Sequence, residues 1–227
     1  MRVLLLARKP IGELVYRAIA DDVAGLVTNR EPEGWWASSF ADAATCPLYD
    51  DVTPELAAQF DAILSVQHPK RISRDVLDAV RWSAWNLHLA PLPEYGGYNG
   101  PTLAILHGDA EYGATLHWLD EGLDTGDIAY EARFPIEPTD TAQSLYRKAE
   151  DAGLGLVRKL AADWTPEAHQ QDRGKARYYG HGLEDGLRHI WDMADVSRKA
   201  RAFYFPPFPP AYIEEDGRRY AVTPWFP

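Results

Sequence analysis

The first ninety residues alternate between short runs of apolar side chains and segments in which apolar residues recur at helical spacing. Strand-like segments lie at 2–7, 23–30, 61–67 and 83–90, and those at 2–7 and 61–67 are the most nearly continuous apolar runs. Runs that are apolar at nearly every position are typical of strands buried on both faces. The alternation of such runs with helical segments predicts an α/β fold, with a mostly parallel sheet covered by helices on both faces.

The pattern changes in the second half of the chain. Two strand-like segments at 113–122 and 128–136 lie close enough in sequence to form a long hairpin. The longest helical pattern covers 141–164, although Gly153 and Gly155 each lower its intrinsic stability by roughly 1 kcal/mol.

A polar stretch follows Trp164 and precedes two short helical patterns and a proline-rich segment. The last segment predicts a β-hairpin at 212–222, because Asp216 and Gly217 form a favourable two-residue turn. We therefore expect two domains, a main domain at 1–165 and a small C-terminal extension at 166–227.

Composition narrows the classes of function. The chain has 227 residues, of which 46% are hydrophobic, and a formal net charge of -11. A surface that binds nucleic acid needs clustered Lys and Arg, so we expect no nucleic-acid partner. The single cysteine, Cys46, excludes an internal disulfide and a cysteine-based zinc site, and is compatible with a cytoplasmic protein. No segment reaches the ~18 apolar residues of a membrane span, so we expect no membrane partner.

In the segment at 83–90, the polar residues Asn86 and His88 lie on either side of Leu87. Side chains two positions apart on a strand point to the same face, so Asn86 and His88 should stand together while Leu87 turns into the core. Prolines and glycines follow at once and predict an open loop at the end of this strand.

An acidic turn at 119–127 contains Asp124 between two glycines. If the helix at 100–108 links neighbouring strands, this turn returns to the end of the strand that holds His88. A carboxylate there would stabilise the charged imidazole, and the Asn86 amide could donate a hydrogen bond to an oxyanion. Such a group suits acyl transfer to an amine. A purely structural role for the histidine remains open at this point.

The segment "NLHLAPLPEYGGYNGPTLAILHGDAEYGATLHWLDEGLDTGDI" resembles the core of the folate-dependent formyltransferases. The resemblance rests on Asn86-x-His88, on Leu92-Pro93, on the Gly-x-Thr-x-His stretch at 113–117 and on the Asp-x-Gly turn at 124–126. It is good over 60–136 and loose over the first strands. At positions 90 and 91 this chain has Ala-Pro where the family has Ser-Leu.

The resemblance implies a Rossmann-like formyltransferase core and an enzyme that uses N10-formyltetrahydrofolate as co-substrate, with no metal. It implies catalytic roles for Asn86, His88 and Asp124. It also places the folate beside two segments, the one before the Asn-x-His strand and the Asp-containing turn. The implied folate-binding residues are Gln67, Arg71, Ile72, Asp120, Glu121 and Gly122.

The acceptor is inferred by comparing branches of the family that it resembles. The branch that acts on tRNA has longer chains with a basic C-terminal barrel, whereas this chain is acidic. The purine-nucleotide branch has a Gly-Ser-Asn loop after its first strand, which "LLLARKPIGELV" lacks. The branch that fits best acts on dTDP- or GDP-linked 4-amino (or 3-amino) deoxysugars, with a 4-amino-4,6-dideoxyhexose as the expected type. The expected substrate-binding residues are Arg8, Lys9, Trp35, Tyr95, Tyr98 and Asn99.

Other functions remain open on the sequence alone. The acceptor could be a different small amine in natural-product biosynthesis, or water, which would make the protein a formyltetrahydrofolate hydrolase. A binding module of the same fold without catalysis is a third alternative. The aromatic and proline-rich C-terminal segment favours a homodimer.

Overall fold

A computed structural model describes residues 1–28, 42, 44–183 and 185–225. Within these residues, seven strands form one sheet in the order β3-β2-β1-β4-β5-β7-β8. The strands of the fold are β1 (Val3–Ala7), β2 (Val23–Val27), β3 (Leu48–Tyr49), β4 (Ala62–Val66), β5 (Ser83–His88), β6 (Gly96–Gly97), β7 (Glu111–Trp118), β8 (Ile128–Pro135), β9 (Tyr178–Tyr179), β10 (Ala211–Glu215) and β11 (Arg218–Val222).

Helices cover the sheet and the C-terminal region. They are α1 (Lys9–Ala18), α2 (Pro54–Ala57), α3 (Arg74–Ala79), α4 (Gly100–His107), α5 (Ala142–Ala162), α6 (Asp185–Arg188) and α7 (Val196–Ala202), with one 3₁₀ turn at Met193–Asp195. The first five strands of the sheet pair in parallel, and β7 and β8 are antiparallel to their neighbours. The prediction of a mostly parallel sheet and of a hairpin at 113–136 is confirmed.

The central strands are buried on both faces, as their apolar runs predict. Successive side chains of β1 enter different cores: Leu5 packs in the core that contains α1 and α5, and Leu4 packs in the core that contains α2 and α3. All five residues of β1 and all five of β4 are buried. The sheet is therefore the middle layer of three.

Strand β5 is the last parallel strand, and β7 lies antiparallel beside it. Helix α4 connects these two neighbours, so the chain returns to the same region of the sheet after the loop at 89–99. The register places Asn86 opposite His117 and His88 opposite Thr115. Two polar positions of β5 thus face polar positions of β7.

The residues after Trp164 contact both the seven-stranded sheet and the loop that follows β5. His169 forms a pair of backbone hydrogen bonds with Ile128, and β9 pairs in parallel with β6. Strands β10 and β11 form the expected hairpin, with Asp216 and Gly217 at φ of 51° and 71° in the turn. The division near residue 165 stays a prediction. None of the described helices is long and apolar enough to cross a membrane.

Candidate active site

Strand β5 brings Asn86 and His88 to one place. Both side chains are half-buried, whereas Leu87 between them is 1% exposed and packs in the core. The alternation predicted for this strand is confirmed. The loop that follows, from residue 89 to 99, contacts His88 through the main-chain carbonyl of Tyr95 and also carries Gly97.

Asp124 reaches the same place from the turn between β7 and β8. Its Oδ1 atom lies 3.6 Å from His88 Nδ1 and 3.7 Å from His117 Nε2. Its Oδ2 atom accepts a hydrogen bond of 2.8 Å from the Gly97 backbone N–H. The Asp124 side chain is 14% exposed. The structure therefore brings together the amide, the imidazole and the carboxylate that the sequence singled out.

The surroundings of Asp124 keep it charged. Burial by itself would raise the pKa of this carboxyl, but the positive charges that His88 and His117 carry when protonated, together with the Gly97 N–H, outweigh burial. The pKa of Asp124 is consequently held well below its ordinary value of 3.8. A carboxylate that stays ionised at neutral pH can stabilise a positive charge that forms beside it.

The hydrogen bond of His88 selects its tautomer. His88 Nε2 lies 2.7 Å from the main-chain carbonyl of Tyr95, and a carbonyl can only accept, so Nε2 carries the hydrogen. In the neutral ring, Nδ1 then holds the lone pair on the side of Asp124. If Nδ1 takes up a proton, both N–H groups of the imidazolium face an acceptor, Tyr95 O and Asp124 Oδ1.

A second histidine orients Asn86. In the neutral ring, His117 Nδ1 donates to the Trp118 carbonyl at 2.6 Å, which leaves Nε2 as acceptor for the Asn86 Nδ2–H at 3.1 Å. The amide group of Asn86 is thereby fixed with its N–H₂ end toward His117, and a second N–H remains for another partner. His117 is 2% exposed, and the sequence argument did not place it in the site. Its signals were its alternation with Thr115 on a strand and its place in the Gly-x-Thr-x-His stretch that carries the family resemblance.

These side chains line a cavity of about 980 Å³. One part of the wall is made by residues that the family resemblance assigned to folate: Gln67, Arg71, Ile72, Asp120 and Gly122. Glu121 adds its main-chain carbonyl, which accepts a hydrogen bond from Arg71 Nη2. This contact joins the two segments that the resemblance placed beside the folate.

Only some of the residues expected to bind the acceptor line the cavity. Arg8, Tyr98 and Asn99 line the cavity. Tyr95 is not among the described residues of the wall, because its ring is 4% exposed and packs between Tyr112 and Tyr179. The expectation that its ring contacts a sugar is therefore not met by this arrangement.

The phenol of Tyr95 is used inside the protein instead. Its hydroxyl donates to Asp109 Oδ2 and lies 3.0 Å from His107 Nδ1. Only the main-chain carbonyl of Tyr95 takes part in the site, through His88. Trp35 lies outside the described residues, and Lys9 begins α1 with a side chain that is not described.

The C-terminal region contributes wall residues that the sequence argument missed. They are aromatic or basic, which suits a ligand with a ring and negative charge. The sequence predicted a separate extension in this region, so none of these residues was expected to line the site. The wall includes Tyr178, His181, Arg188, Phe205 and Phe208. Among the described residues, no group of three or more His, Cys, Asp or Glu side chains is placed to hold a metal ion.

The comparison with protein families matches residues 39–159 to the model described as formyl transferase. The match covers β3 to β8 and thus Asn86, His88 and Asp124. Curated relatives include two proteins named GDP-perosamine N-formyltransferase, from Brucella melitensis biotype 1 and from Brucella abortus. Each is 35% identical over 173 residues, which span 74% of this chain and 67% of the relative.

Solved structures share the fold across nearly the whole chain. An N-formyltransferase from Helicobacter canadensis, in complex with folinic acid and dTDP-3-aminofucose, has a TM-score of 0.78 at 21% identity, covering 96% of this chain and 86% of its own. A 4-N formyltransferase from Francisella tularensis has a TM-score of 0.81 at 17% identity, covering 98% and 97%. At these identities the likeness is one of fold.

Proposed function

This chain belongs to the formyl transferase family, and we propose that it moves a formyl group from N10-formyltetrahydrofolate to the amine of a nucleotide-linked amino deoxysugar. The observation that carries the proposal is the meeting of Asn86, His88 and Asp124 at the wall of one cavity. An enzyme of this type needs a base, an oxyanion donor and room for two substrates. The cavity of about 980 Å³ is large enough for both.

Each of the three side chains has a chemical task in the reaction. The amine nitrogen attacks the formyl carbon, and the carbonyl oxygen gains negative charge that the second N–H of Asn86 stabilises. His88 takes the proton of the amine at Nδ1, and Asp124 stabilises the imidazolium across 3.6 Å. The bond between the formyl carbon and N10 then breaks, N10 takes up a proton, and tetrahydrofolate leaves.

The folate would lie beside the wall formed by Arg71, Ile72 and the turn at 120–124. Main-chain groups in this turn and in the segment at 67–72 offer donors and acceptors to the edge of a pterin ring. The hydrogen bond from Arg71 to the Glu121 carbonyl holds the two segments together. Folinic acid in the complex from Helicobacter canadensis supports a folate as donor.

The acceptor would lie on the side of the cavity lined by the C-terminal region. Tyr98 and Tyr178 offer aromatic surface, and Arg8 and Arg188 offer positive charge for a pyrophosphate. We infer a dTDP- or GDP-linked 4-amino-4,6-dideoxyhexose. The named function of the Brucella relatives, GDP-perosamine N-formylation, supports this class of acceptor.

The test is a turnover assay with N10-formyltetrahydrofolate and a panel of dTDP- and GDP-linked amino sugars. Mass spectrometry detects the formylated sugar, and absorbance follows the release of tetrahydrofolate. Release that requires an amino sugar supports the proposal. Equal release without any amine would identify a hydrolase, and binding of the folate without release would identify a non-catalytic module. Turnover only with other small amines would overturn the assignment of a nucleotide sugar.

We also propose that the protein is a cytoplasmic homodimer. Two tryptophans of the C-terminal region, Trp191 and Trp225, are 80% and 90% exposed, which favours a further contact surface. The single cysteine suits a reducing compartment. Analytical ultracentrifugation of the wild type and of Trp191→Ser tests the dimer, since a monomeric wild type would contradict it.

A further inference from the structure

Residues 169–179, which we call the strap, contact both segments that form the site, the turn that carries Asp124 and the loop at 89–99. At one end, His169 and Ile128 exchange backbone hydrogen bonds of 2.8 and 3.0 Å beside the Asp124 turn. At the other end, the Arg177 N–H donates to the Pro93 carbonyl and the Arg177 carbonyl accepts from the Gly96 N–H, both at 3.0 Å. The strap therefore ties the turn that carries Asp124 to the loop that covers His88.

One side chain of the strap binds the Asp124 turn directly. Gln171 Nε2 lies 2.8 Å from the Asp124 carbonyl and 2.8 Å from the Gly126 carbonyl. An amide N–H₂ group has two hydrogens, so it can donate one to each carbonyl. Gln171 is half-buried, and it is not among the described residues that line the cavity.

The turn needs such support because of its backbone conformation. Asp124 has a φ of 55°, in the left-handed region that residues other than glycine rarely adopt. A residue in this region stays there only when its surroundings hold it. The two hydrogen bonds from Gln171 clamp the carbonyls of Asp124 and Gly126, on either side of Thr125, and so hold the peptide groups that orient the Asp124 side chain.

The loop at the other end of the strap binds the Asp124 carboxylate directly. The Gly97 N–H donates to Asp124 Oδ2, and the Tyr95 carbonyl accepts from His88 Nε2. The Tyr98 N–H binds the Tyr179 carbonyl at 3.0 Å, which fixes this loop to the strap. Asp124 and His88 thus depend on the same strap through different hydrogen bonds.

We propose that Gln171 is a positioning residue for catalysis, which sets the distance from the Asp124 carboxylate to His88 and to the Gly97 N–H. The proposal rests on the function proposed above, in which Asp124 stabilises the imidazolium. Without the two hydrogen bonds, the turn relaxes and the carboxylate recedes from His88. The loss falls on the transition state, where the imidazolium forms, and substrate binding is left nearly unchanged.

The experiment compares Gln171→Met with Gln170→Met. Methionine has the length of glutamine and no donor, and Gln170 is the exposed neighbour in the same strap. We expect Gln171→Met to lower kcat by about tenfold to a hundredfold, with KM values within about twofold of the wild type. Gln170→Met should match the wild type. Hydrogen exchange of the Gly97 amide, measured by NMR, should be faster in Gln171→Met alone.

The readouts separate positioning from a structural role and from a failure of the proposed function. Wild-type kcat and wild-type Gly97 exchange in Gln171→Met would overturn the proposal. Lower kcat with unchanged Gly97 exchange would overturn it as well, because the carboxylate would then still be in place. If the wild type proves inactive with every acceptor, the proposed function fails, and Gly97 exchange still decides whether Gln171 holds Asp124.

Discussion

The Oδ1 atom of Asp124 lies 3.6 Å from Nδ1 of His88. His88 ends strand β5 and Asp124 follows strand β7, so helix α4 and strand β7 separate the two residues in sequence. The opposite ring nitrogen of His88 binds the Tyr95 carbonyl at 2.7 Å. The imidazole is therefore held between a neutral acceptor and a charged one. When Nδ1 takes up a proton, each N–H group of the imidazolium faces one of these two acceptors, which suits His88 to act as the base of the proposed reaction.

Replacing Asn86 or His88 should lower turnover strongly and leave the fold intact. We expect His88→Ala and Asn86→Ala each to lower kcat by about 10² to 10⁴, because one removes the base and the other the oxyanion donor. Steady-state kinetics and circular dichroism measure the two effects. His169→Ala is the matched control, since this histidine is exposed. Near-normal rates in His88→Ala would contradict its role.

The charge of Asp124 should contribute to stability at neutral pH. Its pKa in the folded protein lies below the ordinary value of 3.8, so the unfolded state binds more protons once the pH falls into that range. The contribution is present above about pH 4 and is lost as the pH falls through the folded pKa. We expect Asp124→Asn to lower the free energy of unfolding by about 1 to 2 kcal/mol at pH 7.

The difference between the wild type and Asp124→Asn should narrow as the pH approaches 3. Urea unfolding at several pH values measures it. If the difference in free energy of unfolding stays constant from pH 7 to pH 3, the neighbours of Asp124 do not stabilise its charged form, which would contradict the prediction. The same variant should also lower kcat, because the imidazolium of His88 loses its counter-charge.

The parts of the site that lie close in sequence could be predicted. Asn86 and His88 share a face because strand side chains alternate, and Leu87 between them is buried as expected. The sequence pattern also predicted the parallel sheet and the hairpin with its Asp216-Gly217 turn. These features depend on local spacing and turn chemistry, which a sequence displays directly.

The parts that depend on register or on distant packing could not be predicted. His117 reaches Asn86 only because β7 pairs with β5 in a register that puts the two residues opposite each other. Tyr95 turns its ring into a buried group of aromatic residues, although its place in a polar loop suggested a ligand contact. Gln171 lies in a polar stretch that has no periodicity, so its bonds to the Asp124 turn left no signal.

His68 should make stability depend on pH between 4 and 6.5. Burial is the main cause that lowers its pKa from 6.5 to about 4, helped by Lys70 and Arg8 and opposed by Asp51. The unfolded chain takes up this proton near pH 6.5 and the folded protein does not, so stability falls as the pH is lowered through this window. His68→Gln should flatten that slope.

The measurement for His68 is the urea midpoint at half-unit steps from pH 4 to pH 7. His169→Gln is the control, because its side chain is exposed and should leave the slope as in the wild type. Equal slopes in the wild type and in His68→Gln would contradict the assignment of this pH dependence to His68.

Two glycines of helix α5 should respond differently to replacement by alanine. At Gly155, none of the described residues has an atom within 4 Å of the added Cβ, so alanine should raise stability by about 0.5 to 1 kcal/mol through helix propensity. At Gly153, the Cβ would lie 3.1 Å from the side chains of Leu87 and Leu89. Both leucines are packed in the core, so the strain offsets the gain.

Thermal unfolding of Gly153→Ala and Gly155→Ala measures the difference in stability, and an equal gain in both variants would contradict the prediction. Because Leu87 adjoins His88, Gly153→Ala should also lower kcat, whereas Gly155→Ala should leave it unchanged.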